Sequence, residues 1–395
     1  MQPLSEPVDP FSPMALGPVA LRNRFIKSAT FEGPARDNLV GERLIEFHRR
    51  IAAGGAAMTT VAYCAVSPEG STDGRTLLLR SEAVPGLARL AEAVHAEGAV
   101  VAAQIGHAGP VANPAATGHP SLGPTRILNP LGMRRTRAAS SEDIERVTEA
   151  FAEGARLVAE AGFDAVEVHV GHGYLLSSFL SPRLNRRRDR WGGSLENRAR
   201  FPRQVVAAVR EGAGDSVAVT AKLNMTDGVP GGFDVPDSID VAVMLEADGH
   251  LDALELTGGS SLSNPMYLFR GDAPRKEFGA TLPQPLRLGF SVVGDRFLKE
   301  YPFEEGFFRP QARQFVAALD LPVILLGGVN RLETVESALA EGFSFVAMAR
   351  ALLREPDLVG RWAQGRPDAG RCIHCNRCMP SIYSGTRCSE VGTTP

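Results

Sequence analysis

Continuous apolar runs alternate with segments whose apolar residues recur at helical spacing along most of the chain. The runs Phe25–Thr30, Ala57–Val66, Val100–Gly106, Ala165–Val170, Val217–Leu223, Ala253–Thr257, Pro322–Gly327 and Phe345–Ala349 predict eight strands. Between them lie helical patterns such as SSEDIERVTEAFAEGARLVAEAG, where Ser140 or Ser141 can cap and Glu142 and Asp143 favour the positive helix end. VPGLARLAEAVHAEG, SLENRARFPRQVVAAVREGAG and RLETVESALAEG read the same way, several closed by a glycine suited to the position just past a helix. Strands that are apolar throughout are covered on both faces, so eight βα units predict a (β/α)8 barrel. The alternative is an open doubly wound sheet. It usually carries a GxGxxG turn after its first strand, and this sequence has none there.

Two segments exceed a minimal barrel. Residues 108–138 form a Pro/Gly-rich loop after the third strand, and residues 258–310 a long excursion after the sixth, rich in Phe, Pro and Arg. Loops of this length are uncommon unless functional. Both are expected to project from the C-terminal face of the barrel and cap a substrate site there.

Candidate chemistry concentrates after the fourth strand, in EVHVGHGYLLSSFLSPRLNRRRDRWGGSLENRARF. Its apolar strand delivers His169, His172 and Tyr174 within six residues. Two imidazoles and a phenol at a strand end can hold an oxygen and move a proton. The arginines that follow, Arg183, Arg186 and Arg190 among them, are expected to pair with Asp189 and fix a loop rather than to act on substrate. The five cysteines are distributed unevenly. Cys64 stands alone in a strand and reads as an inert buried thiol. Cys372, Cys375, Cys378 and Cys388 follow a Cys-x2-Cys-x2-Cys-x9-Cys pattern. Four thiolates at that spacing can wrap a [4Fe–4S] cluster or a tetrahedral Zn2+. His374, inside the motif, is expected to be exposed rather than a ligand.

The run from Glu167 to Phe201 resembles the signature of the old yellow enzyme family of flavin-dependent reductases. The resemblance extends over about residues 9–365, starting from FSPMALGPVALRNRFIKSAT. It implies a (β/α)8 TIM barrel that binds FMN and takes electrons from NADH or NADPH. By position in the family pattern, Ser28, Ala29 and Thr30 would line one side of the flavin and Ala62 would touch its ring. Gln104 would bond the pyrimidine edge and Lys222 would sit near N1 and O2. Gly327, Gly328, Ala349 and Arg350 would hold the phosphate. His169 and His172 would clamp the oxygen of an α,β-unsaturated substrate, and Tyr174 would protonate the carbon beside it. The implied activity is reduction of activated C=C bonds. A demethylating dehydrogenase, or an electron-transfer subunit feeding a partner through the cysteine tail, is the alternative.

The tail itself resembles the cluster-binding segment of the dienoyl-CoA reductase and trimethylamine dehydrogenase branch, which continues into a further nucleotide-binding domain. The sequence ends at Pro395, and the expected organisation is a barrel over 1–365 and a Cys-rich tail over 366–395. No cysteine lies near Ser28–Phe31, which argues against trimethylamine dehydrogenase chemistry. Composition adds limits. With 44% hydrophobic and 22% charged residues and a net charge of −3, the chain reads as a globular protein with no electrostatic pull toward nucleic acid or anionic membrane. The absence of a long apolar run and of a signal-like N-terminus leads to a cytoplasmic expectation. The expected partners are a small-molecule substrate, a second copy of the chain, and a redox partner for any cluster.

Overall fold

The computed structural model describes residues 8–32, 36–129, 134–284, 286–383 and 385–391, without the side chains of Arg36 and Tyr383. Eight parallel strands close on themselves: β1 (Phe25–Lys27), β2 (Met58–Ala65), β3 (Val100–Gly106), β4 (Ala165–Val170), β5 (Ala218–Asn224), β6 (Ala253–Thr257), β7 (Val323–Leu326) and β8 (Phe345–Met348). Pairing of β1 with both β2 and β8 completes the ring. Helices α1 (Glu42–Ala53), α2 (Val84–His95), α3 (Ser141–Glu160), α4 (Leu195–Ala213), α5 (Val235–Asp248), α6 (Arg309–Ala318), α7 (Leu332–Ala340) and α8 (Leu358–Ala363) accompany the strands. The protein is a (β/α)8 TIM barrel.

The outward residues of each strand, such as Val166, Val168 and Val170, pack with the helices into one large apolar shell. The inward residues follow a different rule. Ala102, Ala165, Ala218 and Ala253 fill the lower barrel with Ile26, Met58, Ile324 and Phe345. A hairpin of Met14–Leu16 and Val19–Leu21 closes that end with the fully buried Leu16 and Leu21. Two residues further along the same faces the barrel becomes polar, because side chains alternate along a strand. Gln104, Glu167 and Thr220 stand level with one another, followed by His169, Lys222 and Glu255.

Helix starts follow the caps that the sequence offers. Ser140 accepts from the Asp143 amide while the Asp143 carboxylate accepts from the Ser140 amide, a complete capping box on α3. Past its far end, Gly162 takes φ +78°, where a side chain would be strained.

The excursion after β6 carries helices Pro265–Phe269, Arg275–Thr281 and Leu286–Phe297. They enclose a small apolar core of their own, Met266, Phe278, Phe290 and Leu298, to which the tail contributes Met379. The loop after β3 forms short turns and ribbons. Positions 130–133, 285, 384 and 392–395 of these expected segments lie outside the described residues. Among the described residues, no helix is long and apolar enough to cross a membrane.

Candidate active site

The C-terminal end of β4 opens into a turn that places the two histidines against each other. His172 takes a positive φ of 61°, and its amide donates to Asn224 Oδ1 on β5 at 3.1 Å. Its ring bridges His169 Nε2 at 3.3 Å and Thr257 Oγ1 on β6 at 2.9 Å. Both ring nitrogens of His172 are therefore engaged, whereas buried His169 Nδ1 has no hydrogen-bond partner among the described residues. Burial, the facing His172 and the Lys222 cation hold His169 well below the usual histidine range. Burial, with Lys222 again adding to it, pushes His172 down to about 3. Both imidazoles are neutral near pH 7, which is consistent with one ring donating to the other.

Tyr174 caps the short helix Leu175–Leu180 and lies edge-on to His169, with ring centroids 4.6 Å apart. Its other neighbour is Tyr63 on β2, at 5.4 Å and also edge-on. Tyr63 is anchored by its hydroxyl, which donates to Gly70 O at 2.9 Å. Ala29, Ala62 and Phe31 pack in the same cluster with Tyr63 and Tyr174. The flavin-facing residues expected from β1 and β2 and the proton donor expected from β4 thus share one wall. Gly106 at the end of β3 keeps this wall closed up, since a Cβ there would meet Tyr63 Cε2 at 2.6 Å and His169 Cβ at 3.2 Å.

Below the histidines is a buried ionic network. Lys222 Nζ lies 2.9 Å from Glu167 Oε1, 3.0 Å from Glu255 Oε1 and 3.2 Å from Ser28 Oγ. Gln104 Nε2 donates to Glu167 at 2.7 Å and Ser28 Oγ donates to Glu255 at 2.6 Å. Burial, reinforced by Glu255 and opposed by Lys222, pushes Glu167 up to about 7. Burial alone would pull Lys222 down; the two carboxylates outweigh it and leave the ammonium raised. A second buried cluster sits beside it. Lys27 Nζ binds Ser28 O at 2.8 Å, Thr30 Oγ1 at 2.9 Å and Glu32 Oε1 at 3.2 Å, and Glu32 Oε2 accepts from the Ala62 amide at 2.9 Å.

The carboxylates Glu167, Glu255 and Glu32, the hydroxyl of Thr257 and the amide of Asn224 escape a reading by motif. Each is a single polar residue in or beside an apolar run. The available signal was period-two alternation toward the strand ends, in AVEVHV, AKLN and ALELT.

The expected phosphate groups separate. Gly327 and Gly328 take φ of 117° and 77°, and their outer sides are covered by Phe308 and Phe307, which an added Cβ would strike. Ala349 is the N-cap of the helix Arg350–Arg354, which lacks a side-chain cap. The Arg350 side chain goes elsewhere: its guanidinium donates to Arg270 O at 2.9 Å and to Asn376 Oδ1. It lines a narrow cavity together with Cys372, Cys375, Cys378 and Cys388. Burial lowers Arg350, opposed by the nearby cysteines.

The four cysteines therefore line one cavity. No three His, Cys, Asp or Glu among the described residues are grouped to hold a single metal ion, however, so the structure does not show the expected metal site. His374 departs from expectation. It is buried and stacks on Phe303 with centroids 3.4 Å apart and planes 8° apart, because the tail folds against the excursion. Cys64 is fully buried with its thiol pushed up by burial, an inert group. The arginine loop behaves as a brace: Arg187 pairs with Asp189 and donates to Pro124 O and Ala139 O, Arg183 donates to Pro230 O, and Arg190 lies over Trp191 at 4.9 Å.

FMN asks for an amide and a cation at its pyrimidine edge, an apolar wall for the ring, and free backbone amides for phosphate. The mouth of the barrel supplies Gln104 and Lys222 side by side, the Ala29–Ala62 wall, and the uncapped turn at Ala349. The partnerless His169 nitrogen leaves one polar atom for a further ligand. These residues fit the cofactor.

Comparison with known proteins agrees. Residues 9–255 match the NADH:flavin oxidoreductase / NADH oxidase family. The 4,4'-dithiodibutanoate disulfide reductase of Rhodococcus erythropolis is 56% identical over 378 residues, covering 96% of this chain and 94% of that protein. A metal reductase of Desulforamulus reducens is 32% identical over 94% of this chain, which spans 52% of its length. Among solved structures, a 2-naphthoyl-CoA reductase complex superposes with a TM-score of 0.82 at 26% identity, over 96% of this chain and 56% of that one. The chain thus spans nearly all of the first relative and about half of the other two proteins, and it belongs to the NADH:flavin oxidoreductase / NADH oxidase family of FMN-dependent old yellow enzymes.

Proposed function

We propose that the chain is an NAD(P)H-consuming reductase of activated C=C bonds, with His169, His172 and Tyr174 as its substrate-handling residues. The observation that carries this reading is the neutral His169–His172 pair, with one free buried nitrogen, edge-on to a phenol. Bound FMN would supply the hydride chemistry. His169 Nδ1 would donate to the substrate's carbonyl oxygen, and His172, held by Thr257 and Asn224, would fix the tautomer and tilt of that ring. Tyr174, with Tyr63 beside it, would place its hydroxyl proton on the carbon next to the carbonyl. Ser28, Ala29, Thr30, Ala62, Gln104 and Lys222 would hold the flavin ring. Gly327, Gly328 and the backbone of Ala349 and Arg350 would hold its phosphate.

The test is an anaerobic one. Purified protein reconstituted with FMN should bleach its flavin bands with NADH or NADPH and recover them on adding 2-cyclohexen-1-one. Bleaching without recovery would overturn the alkene reading.

A second acceptor is favoured by the 56% identity to a disulfide reductase. The same proton donor serves a disulfide: hydride adds to one sulfur, the S–S bond breaks, and Tyr174 protonates the departing thiolate. Recovery with 4,4'-dithiodibutanoate but not with the enone would select this reading.

For the tail, the reading we favour is a [4Fe–4S] cluster over zinc. The support for it is the Cys-x2-Cys-x2-Cys run from Cys372 to Cys378, a spacing used by iron–sulfur clusters. A buried arginine lining the same cavity suits an anionic cluster. Iron analysis after anaerobic purification tests it, and zinc in place of iron would overturn it.

A further inference from the structure

We propose that Glu167 takes up a proton when FMN bound at this site is reduced and returns it on reoxidation, so that the Glu167–Lys222–Glu255 cluster offsets the charge arriving at Lys222. This rests on the placement of the flavin against Gln104 and Lys222 given above.

The geometry carries it. One ammonium serves two carboxylates, at 2.9 and 3.0 Å, all three groups almost fully buried. The set holds one more negative than positive charge when both carboxylates are ionised. The next cation, Lys27, is committed to Glu32 at 3.2 Å. The other groups facing Glu167 are neutral: Gln104 from β3, Ser28 beside Glu255, and His169 two residues on with His172 behind it. A buried excess charge is costly, and further negative charge beside Lys222 would compete with Glu167 for the same ammonium. Protonating one carboxylate relieves both.

Glu167 is the one that yields. Glu255 accepts from Ser28 Oγ–H at 2.6 Å as well as from Lys222, whereas the second donor to Glu167 is an amide, and Glu167 already titrates near neutral pH. The balance is closed: NAD(P)H delivers two electrons and one proton as hydride, and solvent supplies one further proton to the Glu167 carboxylate. When hydride passes to the substrate, the Glu167 proton returns to solvent, Tyr174 supplies the proton that the substrate keeps, and solvent restores one proton to the Tyr174 hydroxyl. Glu167 is a positioning residue in this scheme, acting through Lys222 and Gln104.

The experiment is the midpoint potential of bound FMN as a function of pH, by spectral titration against redox dyes, in wild type and Glu167→Gln. Each proton coupled to a two-electron reduction adds about 30 mV per tenfold change in proton activity. Wild type should show a two-proton slope from about neutral pH, where Glu167 starts out ionised, up to the higher pH at which it stays ionised beside reduced FMN, with a one-proton slope on either side. Glu167→Gln should show the one-proton slope throughout and a higher potential than wild type at alkaline pH. A two-proton segment that survives in Glu167→Gln would overturn the proposal, since the flavin itself would then hold the second proton. If Glu167→Gln does not retain FMN, Glu255→Gln is read instead: removing the neighbouring charge should move the steep segment to lower pH, and an unmoved segment overturns the proposal. A wild-type protein that fails to bind FMN at all would overturn the flavin reading beneath it.

Discussion

His169 and Tyr174 announce themselves because strongly polar groups at the end of an apolar strand have no structural reason to be there, and the structure places them in one cluster. Their supports were not legible. Glu167 and Glu255 look like isolated charges in apolar runs, and only barrel closure shows that both face Lys222. The direction of a long side chain is likewise set by packing, which is why Arg350 reaches the cysteine cavity. Tyr174→Phe should slow substrate-driven flavin reoxidation by about 10²–10⁴-fold, the usual worth of a placed proton donor, and leave reduction by NAD(P)H nearly unchanged. Stopped-flow measurement of the two half-reactions checks this, and equal losses in both would misplace the proton donor. A pH effect follows from the same burial. His107 is pushed down to about 4 mainly by burial, and His169 and His172 also lie below the histidine range. The unfolded chain binds protons on these groups below roughly pH 6.5 while the folded chain does not. Stability is therefore full above that pH and is lost as pH falls, with His107 alone worth on the order of 2–3 kcal/mol by pH 4. Glu167, raised to about 7, acts in the opposite sense over the same window, but it is one group against three. Urea unfolding at pH 7 and pH 5 should therefore show the midpoint dropping on acidification in Glu167→Gln as well as in wild type; a midpoint that stays constant in Glu167→Gln would mean these rings titrate normally.

The eight strands were legible because a strand buried on both faces must be apolar along its length, and Val100–Gly106, Ala165–Val170 and Ala253–Thr257 coincide with their sequence-based limits. Where limits differ the reason is local: Pro322 has no N–H for a ladder, and Gly327 turns to φ 117°, so β7 is confined to Val323–Leu326. The excursion was not legible as helices, since its apolar residues divide between two partners: Phe278, Phe290 and Leu298 pack on one another and on the tail, while Phe307 and Phe308 pack into the barrel's own core. Helix α3 offers a clean energetic test. Ser140→Ala removes the side-chain half of the capping box and should cost about 1 kcal/mol in chemical denaturation. A value near zero would mean that the Asp143 carboxylate, which also pairs with Arg137, holds the helix start alone. In the excursion, Phe278→Ala opens a hole under Met379, and truncating a buried Phe costs about 3–5 kcal/mol where the site cannot collapse. The loss should be local, seen as faster proteolysis of the tail while the barrel retains its unfolding midpoint.

At the scale of the whole chain, the proposed division into a barrel over 1–365 and a tail over 366–395 separates chemistry more than structure. The tail is laced across three loops at the C-terminal face. Gly370 exchanges hydrogen bonds with Asn330 after β7, through its amide at 2.7 Å and its carbonyl at 2.6 Å. Asn376 Nδ2 donates to Arg270 O and Asp272 O in the excursion at 3.1 and 3.0 Å, and the Thr386 amide donates to Glu32 O beyond β1 at 3.2 Å. Two variants separate stapling from metal binding. Ending the chain at residue 365 strips partners from buried Asn330 and Glu355, and each orphaned group costs about 1–3 kcal/mol. Its Tm should fall by several degrees and its hold on FMN should weaken, since Glu32 accepts from the amide of Ala62, the residue proposed above to touch the flavin ring. Cys375→Ser keeps every one of those hydrogen bonds, so it should lose iron while holding FMN and most of its Tm. An unchanged Tm after truncation would mean that the tail rests on the barrel without supporting it. Iron retained in Cys375→Ser would mean that the cavity lined by the four cysteines is not where iron is bound.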